Sequence, residues 1–326
     1  MRYVVRADAS KIVGAGHAMR SSAIAEELIE QGEEVVFVGN VSEIDWVQER
    51  ILQLGFIETY SDSSDFIANP NNDVLILDSY SLAIKDQFVA HQNWYRIIVI
   101  ADELTPDYAC DLRIHPGLDA DWVGESKYPV LSGPKFIPLR KSLKQGIRNK
   151  KSKVDSLQIA VVAGGSDPFN LIEQLAKILE RLDGSFEVFL FSNDSKLRSI
   201  DSRLHFVPIG IEMEGITKQC DLVITTASTS CLEFLARGFP IGVIRLLDNQ
   251  DQYFNVLGEA GVAVQLGFRS DEGNLNIDIS LLAELIRSEK LRETLIQKSS
   301  KLIDFEGSKR IVTAIRETLN KDSWVI

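Results

Sequence analysis

Apolar residues recur along this chain in short β-branched runs separated by amphipathic stretches. RYVVRAD, EEVVFVG, DVLILD and YRIIVIAD read as strands. Between them the pattern predicts a helix from about His17 to Gln31, a second over SEIDWVQERILQLG, and a further helical stretch between DVLILD and YRIIVIAD. Strands alternating with helices of this length predict βαβ units and a parallel sheet.

The alternation is interrupted at Arg140 to Ser156, RKSLKQGIRNKKSKVDS, which is basic, polar and poor in large apolar residues. This segment reads as a domain boundary; the other reading is a solvated helix end and loop inside one domain. Beyond it the pattern restarts with SLQIAVVAGG, a helix over FNLIEQLAKILERL, the strands FEVFLFS, RLHFVPI and CDLVITTAS, a helix over TSCLEFLARG, and FPIGVIRL. Each half therefore opens with an apolar strand running into a glycine pair and a helix, a coarse duplication without sequence identity. The tail from Ile279 to Leu319 predicts two or three helices. The expected architecture is α/β: two Rossmann-like, doubly wound parallel-sheet domains, residues 1–145 and 146–326, with the last helices free to pack back on the first domain. Ligands of such sheets bind outside the carboxyl ends of the strands, so the expected site is a cleft between the two domains.

Composition narrows the class. An apolar fraction of 45% and a charged fraction of 25% are those of a soluble globular protein. The formal charge of -12 argues against a nucleic-acid or anionic-membrane partner, which needs a broad basic field. A single phosphate site remains compatible with it, because helix N-termini act within a few ångströms. The opening MRYVVRADAS lacks the apolar core of a signal peptide, and runs such as LQIAVVA are far shorter than a membrane helix requires, so no membrane insertion is expected. Cys110, Cys220 and Cys231 form no CxxC pair. The expectation is a cytoplasmic protein with neither a disulfide framework nor a zinc site.

The stretch VGAGHAMR carries the chemistry. Gly14 and Gly16 follow a strand and precede a helix, where backbone amides can approach an anion closely. A dinucleotide fingerprint would need a third glycine at position 19, where Met19 stands, and no acidic residue closes EEVVFVG, which disfavours a nicotinamide cofactor. His17 falls in the first turn of the predicted helix, where the macrodipole disfavours the imidazolium and a neutral ring can accept a proton. Arg20 lies on the same helix face and is a candidate partner for a substrate phosphate or carboxylate. The plain alternative is a histidine that caps the helix or fills a polar gap. His91, His115 and His205 have no partner at ligand spacing, and no HExxH, DxD or Cys/His cluster argues for a metal.

With its neighbours, the stretch RADASKIVGAGHAMRSSAIAEEL resembles the N-terminal motif of the pseudaminic acid pathway nucleotide-sugar hydrolases, which cleave UDP-2,4-diacetamido-2,4,6-trideoxy-β-L-altropyranose. VLILDSY resembles the strand that carries that family's active-site tyrosine, IADEL and CDLRIHPG the following strand and loop, and VVAGGSDPFN its Gly-Gly-Thr-Asp turn. TTASTSCLEFLARGFPIGVIRLLDNQDQ, with NVLGEAG after it, is similar to the nucleotide-binding segment of the MurG-like glycosyltransferases. The resemblance reaches to about Leu266 and implies a GT-B fold, with UDP held mainly by the C-terminal domain and the sugar facing the N-terminal one. There are three departures: Ser21 stands where the family often has cysteine, Ser79 precedes Tyr80 where histidine is common, and FIPLR around Arg140 replaces YALLR.

The resemblance implies a metal-independent, cofactor-free reaction in which water held by His17 attacks the anomeric carbon as UDP departs. Tyr80 would orient the water or the sugar. The growing diphosphate charge would be met by the Gly14 and Gly16 amides, the Gly164-Gly165-Ser166 turn, and the helix opening at Ser228 and Thr229. Glu233 matches the carboxylate that takes both ribose hydroxyls, and Asn249 and Gln250 match positions near the diphosphate and sugar. Several of these residues carry a plainer alternative. Asp8 could hold the histidine tautomer or a sugar amide, or be a strand-end turn acid, and Asp167 could accept a sugar hydroxyl or simply cap its helix. Two rival functions remain at this stage: a GT-B glycosyltransferase, in which His17 deprotonates an acceptor hydroxyl, and a nucleotide-sugar sensor without turnover. The oligomeric state is open.

Overall fold

The computed structural model describes residues 1–102, 105–118, 126–149, 156–164, 167, 169–194, 196–210 and 213–320, without the side chain of Asn249. The described chain forms two compact units, Met1–Lys141 with the segment from Phe305 onward, and Ser142–Asp304.

The first unit runs β1 (Arg2–Ala7), α1 (Gly16–Glu30), β2 (Glu34–Val38), α2 (Asp45–Gln53), β3 (Glu58–Tyr60), β4 (Asp73–Asp78), β5 (Arg96–Ile100), β6 (Leu112–His115) and β7 (Val130–Ser132). Its sheet has the order β3-β2-β1-β4-β5-β6-β7 with every pairing parallel. Strands covered on both faces need apolar runs rather than alternation, and DVLILD is buried at all six positions. The two aspartates that bound it are buried as well, so each needs a cation; Asp73 takes Arg2 at 2.6 Å.

Ala18, Ile24, Ala25 and Leu28 of α1 pack on Tyr3 and Val5 of β1 and on Val35 and Phe37 of β2. Fully buried side chains such as Ile24 and Leu28 each contribute about 1.5–3 kcal/mol. The helix stops at Gly32, whose φ of +82° an L side chain rarely adopts.

The helical stretch expected between β4 and β5 is absent as an α-helix. The chain there makes two short 3₁₀ turns, Gln87–Val89 and His91–Asn93. Leu82 and Val89 stand seven apart, as on one helix face, but Trp94, five further on, departs from that period, and each of the three is buried against the sheet face that carries Leu75, Leu77 and Val99. Side chains also take the backbone acceptors: Trp94 Nε1 donates to Phe88 O and the Tyr108 hydroxyl to Leu82 O. Tertiary packing overrides the local pattern.

The second unit runs β8 (Leu157–Val162), α3 (Leu171–Leu179), β9 (Phe186–Phe191), β10 (Leu204–Val207), α4 (Met213–Thr217), β11 (Leu222–Thr226), α5 (Thr229–Ala236), β12 (Ile241–Arg245), α6 (Asp251–Glu259), β13 (Ala263–Arg269), β14 (Leu275–Ile277), α7 (Ile279–Arg287) and α8 (Glu289–Ser299). Its sheet order, β10-β9-β8-β11-β12-β13-β14, repeats that of the first unit, with β14 antiparallel at the edge. In each sheet the winding direction reverses between the first and fourth strands of its order of appearance, β1 and β4 in one unit, β8 and β11 in the other. Ligands of doubly wound sheets bind at the carboxyl ends of such strands.

The last helix, α9 (Gly307–Leu319), belongs to the first unit: Ile311, Val312 and Ile315 join the core that α1 covers. Its first residue touches the chain closely, since a Cβ on Gly307 would lie 1.9 Å from the Ile137 carbonyl oxygen. Gly307→Ala is expected to lower stability by about 1–3 kcal/mol, because backbone and not a pliable side chain must move. Denaturant unfolding checks this, and an unchanged midpoint would show that the close approach carries no energy.

Candidate active site

The carboxyl ends of β1, β4 and β5 bring together residues far apart in sequence. His17 sits in the first turn of α1, and its Nδ1 lies 2.6 Å from Asp78 Oδ1 at the end of β4. A carboxylate can only accept, so Nδ1 carries the proton and, in the neutral ring, the lone pair is on Nε2. Nε2 has no hydrogen-bond partner among the described residues.

Asp78 is completely buried and accepts three further hydrogen bonds from α1. Arg20 reaches it with Nε at 2.6 Å and Nη2 at 2.6 Å, and the Ser21 hydroxyl donates at 2.9 Å. Burial by itself raises the Asp78 pKa, but the charges of Arg20 and His17 and their hydrogen bonds outweigh it and hold the carboxyl well below the usual range. Arg20 lies 3.1 Å from His17 Nδ1 as well, a contact between two donors that share Asp78 Oδ1.

Arg20 also reaches Asp102, just beyond β5, with Nη2 3.3 Å from Oδ2. The same carboxyl oxygen accepts the Tyr80 hydroxyl. The Tyr80 and His17 rings meet edge to face, centroids 4.3 Å apart at 86°. Burial, and then the Asp102 charge, push the Tyr80 phenol well above its ordinary value, so it keeps its proton. The result is a closed ring of five side chains in which one arginine bridges two carboxylates, one holding a histidine and the other a tyrosine.

This arrangement revises two expectations. Arg20 is committed to Asp78 and Asp102, with its side chain 11% exposed, and is not a free cation awaiting a substrate anion. Asp8 does not hold the histidine tautomer; Asp78 does. Asp8 instead pairs with Arg6 Nη1 at 2.7 Å and accepts the Asn40 amide at 2.9 Å and the Ser81 hydroxyl at 3.0 Å. Burial opposes its ionisation, but these partners prevail and lower its pKa. The glycines divide as well. Gly14, at φ +83°, gives its amide to Ser10 O at 2.7 Å, closing a tight turn, so that amide is spent. Gly16 opens α1, where Ala15 offers no capping side chain and no acidic residue stands in the first turn, leaving the positive helix end open.

Ser21 accounts for one departure from the family pattern: its hydroxyl is a better donor to a buried carboxylate than a thiol. Ser79 is buried, with its Oγ 2.9 Å from that of Ser81. Phe136, Ile137, Leu139 and Arg140 of FIPLR are all buried in the first unit.

In the second unit the corresponding strand ends carry two helix N-termini of opposite character. At the end of β8, Gly164 takes φ +106°, while Gly165 and Ser166 lie outside the described residues. Asp167 caps α3, accepting the Leu171 amide at 2.8 Å and the Ile172 amide at 2.9 Å. Burial raises its pKa against the pull of those amides. Here the capping alternative is what the geometry displays, and a carboxylate already occupies the anion position. At the end of β11, Ser228 turns its Oγ to Thr226 Oγ1 at 2.9 Å and does not cap α5, whose first turn, opening with Thr229, holds no acidic residue. Among the described residues no side chain caps that helix end, which can therefore meet an anion. Glu233 is half-buried one turn on. Gln250 accepts the Leu246 amide through Oε1 at 2.8 Å, and its NH₂ has no partner among the described residues. The backbone of Asn249 lies in the short turn before α6, and its side chain is outside the description.

Sequence reasoning missed Asp78 and Asp102. The available signal was that DVLILD and YRIIVIAD each end in an aspartate directly after a buried apolar run, at the end of the strand where these sheets bind ligands. Among the described residues no group of three His, Cys, Asp or Glu side chains could hold a metal ion, and no helix is long and apolar enough to cross a membrane.

Comparison with known proteins adds the following. No family model matches the chain. It is 26% identical over 203 residues to the spore coat polysaccharide biosynthesis protein SpsG of Bacillus subtilis (strain 168), a match covering 58% of each. It is 25% identical over 275 residues to an uncharacterized protein of Methanocaldococcus jannaschii, covering 75% of this chain and 55% of that protein. The chain thus spans little more than half the length of the curated relatives it matches. Among solved structures, Acinetobacter baumannii MurG superposes with a TM-score of 0.64 at 14% identity, over 97% of this chain and all of that one. The glycosyltransferase SsfS6 of Streptomyces sp. SF2575, complexed with thymidine diphosphate, gives 0.60 at 13% identity, over 96% and 99%. With the two repeated sheet orders, these likenesses define a two-domain, Rossmann-like GT-B α/β fold.

Proposed function

We propose that the protein is a nucleotide-sugar hydrolase that releases UDP from a UDP-linked diacetamido-trideoxyhexose, in the biosynthesis of a pseudaminic-type nonulosonic acid or a related surface glycan. The observation that carries the proposal is the His17–Asp78 pair: an imidazole whose Nδ1 proton is fixed by a buried carboxylate and whose Nε2 is open. Such a pair is a general base, worth about 10² to 10⁴ in rate. Nε2 takes a proton from water as the water oxygen bonds to the anomeric carbon, and the electron pair of the breaking bond leaves with UDP.

In this reading Tyr80 orients the water, and Arg20 is a positioning residue that holds Asp78 and Asp102. Asp8, presented by Arg6, accepts from the sugar. The diphosphate is met by the N-terminus of α5 at Ser228 and Thr229 and, as the resemblance implies, by the Gly164-Gly165-Ser166 segment. Gly16, Glu233, Asn249 and Gln250 complete the substrate contacts. The polysaccharide role of SpsG and the nucleotide bound to SsfS6 support the substrate class.

The test is a panel of UDP-sugars, UDP-2,4-diacetamido-2,4,6-trideoxy-β-L-altropyranose among them, incubated with the protein and no acceptor and followed by NMR. Free sugar and UDP should form in equal amounts. Release that waits for an added acceptor makes the protein a glycosyltransferase, and UDP binding without any release makes it a sensor.

A further inference from the structure

We infer that Asp102 is a positioning residue which, by accepting the Tyr80 proton, makes the phenol oxygen a second acceptor beside His17 Nε2, so that the site selects water over an alcohol as nucleophile. The inference rests on the hydrolase reading above. It begins with donor arithmetic. A phenol has one O–H, and a carboxylate has none to give. With the Tyr80 hydroxyl donated to Asp102, the oxygen can offer an incoming molecule lone pairs only. His17 Nε2 is in the same position, because Asp78 holds the proton on Nδ1.

The geometry fixes this arrangement. Asp102 is anchored by the Thr105 hydroxyl, which donates to Oδ1 at 3.2 Å, and its own amide donates back to Thr105 Oγ1 at 2.9 Å. Arg20 spans from Asp102 to Asp78, so the carboxylates behind Tyr80 and His17 are held by one rigid guanidinium. The edge-to-face contact of the two rings keeps both acceptors in one small site. The raised pKa of Tyr80 is in keeping, since a phenol that keeps its proton can donate it continuously.

Two acceptors on rings in edge-to-face contact are matched by a molecule with two O–H bonds. Water gives one to Nε2 and one to the Tyr80 oxygen, which leaves both lone pairs of its oxygen free and one of them to attack the anomeric carbon. As the new C–O bond forms, the proton facing Nε2 passes to His17, and the phosphate oxygen keeps the electrons of the old bond. An alcohol has one O–H, so it leaves one acceptor in the buried site without a donor, which is costly.

The test is the partition of product when methanol competes with water. The protein is given UDP-2,4-diacetamido-2,4,6-trideoxy-β-L-altropyranose in aqueous methanol, and NMR reports methyl glycoside against free sugar. The wild type is expected to give free sugar almost alone. Tyr80→Phe and Asp102→Ala should each raise the ratio of methyl glycoside to free sugar about tenfold, the worth of one hydrogen bond. Asp102→Asn, which keeps an acceptor oxygen for the phenol, should raise it less. Because the ratio is taken within one reaction, loss of overall rate or of folded protein does not move it. An unchanged ratio in both Tyr80→Phe and Asp102→Ala overturns the role of Asp102 and leaves the hydrolase reading standing. If the wild type splits no UDP-sugar, the hydrolase reading falls and this inference falls with it.

Discussion

His17→Ala loses about 10² to 10⁴ of turnover on the UDP-sugar substrate while UDP affinity, measured by calorimetry, stays within about twofold. The asymmetry follows from where the groups lie. The proposed diphosphate site belongs to the second unit, at the N-terminus of α5, and His17 belongs to the first. The substitution is also gentle on the fold. Asp78 keeps both bonds from Arg20 and the one from Ser21, so no charge is stranded when the imidazole is removed. A drop in rate without a drop in thermal midpoint therefore reads as lost proton transfer. Turnover that survives His17→Ala would remove the general base from the mechanism and return His17 to the role of a packed polar residue.

Asp78→Asn does more damage, to rate and to stability together. Its amide presents no anion to Arg20, whose side chain is mostly buried and would keep Asp102 as its counter-charge. Breaking a buried pair from one side costs about 3–5 kcal/mol. The amide can also donate to His17 Nδ1, which fixes the wrong tautomer and puts a proton where the lone pair is needed; losses of up to about 10⁴ in rate accompany that change in histidine–aspartate systems.

The stability difference depends on pH with a definite sign. The folded-state pKa of Asp78 lies below its unfolded value, so its contribution is complete above the unfolded carboxylate range near about pH 4 and is lost as pH falls through the folded value. Denaturant unfolding at neutral pH should therefore separate wild type from Asp78→Asn by several kcal/mol, and the gap should narrow on strong acidification. A gap that is small at neutral pH would mean that Arg20 finds another partner.

The repeated alternation of apolar runs and amphipathic stretches was sufficient for the fold class, because parallel strands covered on both faces cannot hide their composition. DVLILD is β4 residue for residue, and the helix expected over His17–Gln31 is α1, Gly16–Glu30. The helix expected after β4 was not there, since Leu82, Val89 and Trp94 answer to the sheet face below them and not to their own spacing.

At the candidate site, the histidine beside a glycine turn was legible. Its partner was not: Asp78 stands 61 positions away and Asp102 lies 22 beyond Tyr80, and strand order, which no local pattern carries, sets them side by side. The same lack of a partner made Arg20 look like an open cation. Asp167 and Gly14 show the converse: a carboxylate suited to accept a sugar hydroxyl and an amide suited to meet an anion each already spend their polar group close by in sequence.

The return of α9 to the first unit has a consequence during synthesis. Ile311, Val312 and Ile315 close a core begun by Tyr3 and Val5. The first unit therefore leaves the ribosome with a greasy flank uncovered, and it stays so until α9 has been translated. The second unit, drawn from the unbroken stretch Ser142–Asp304, can finish before it, and Tyr3 and Val5 are sealed only afterwards.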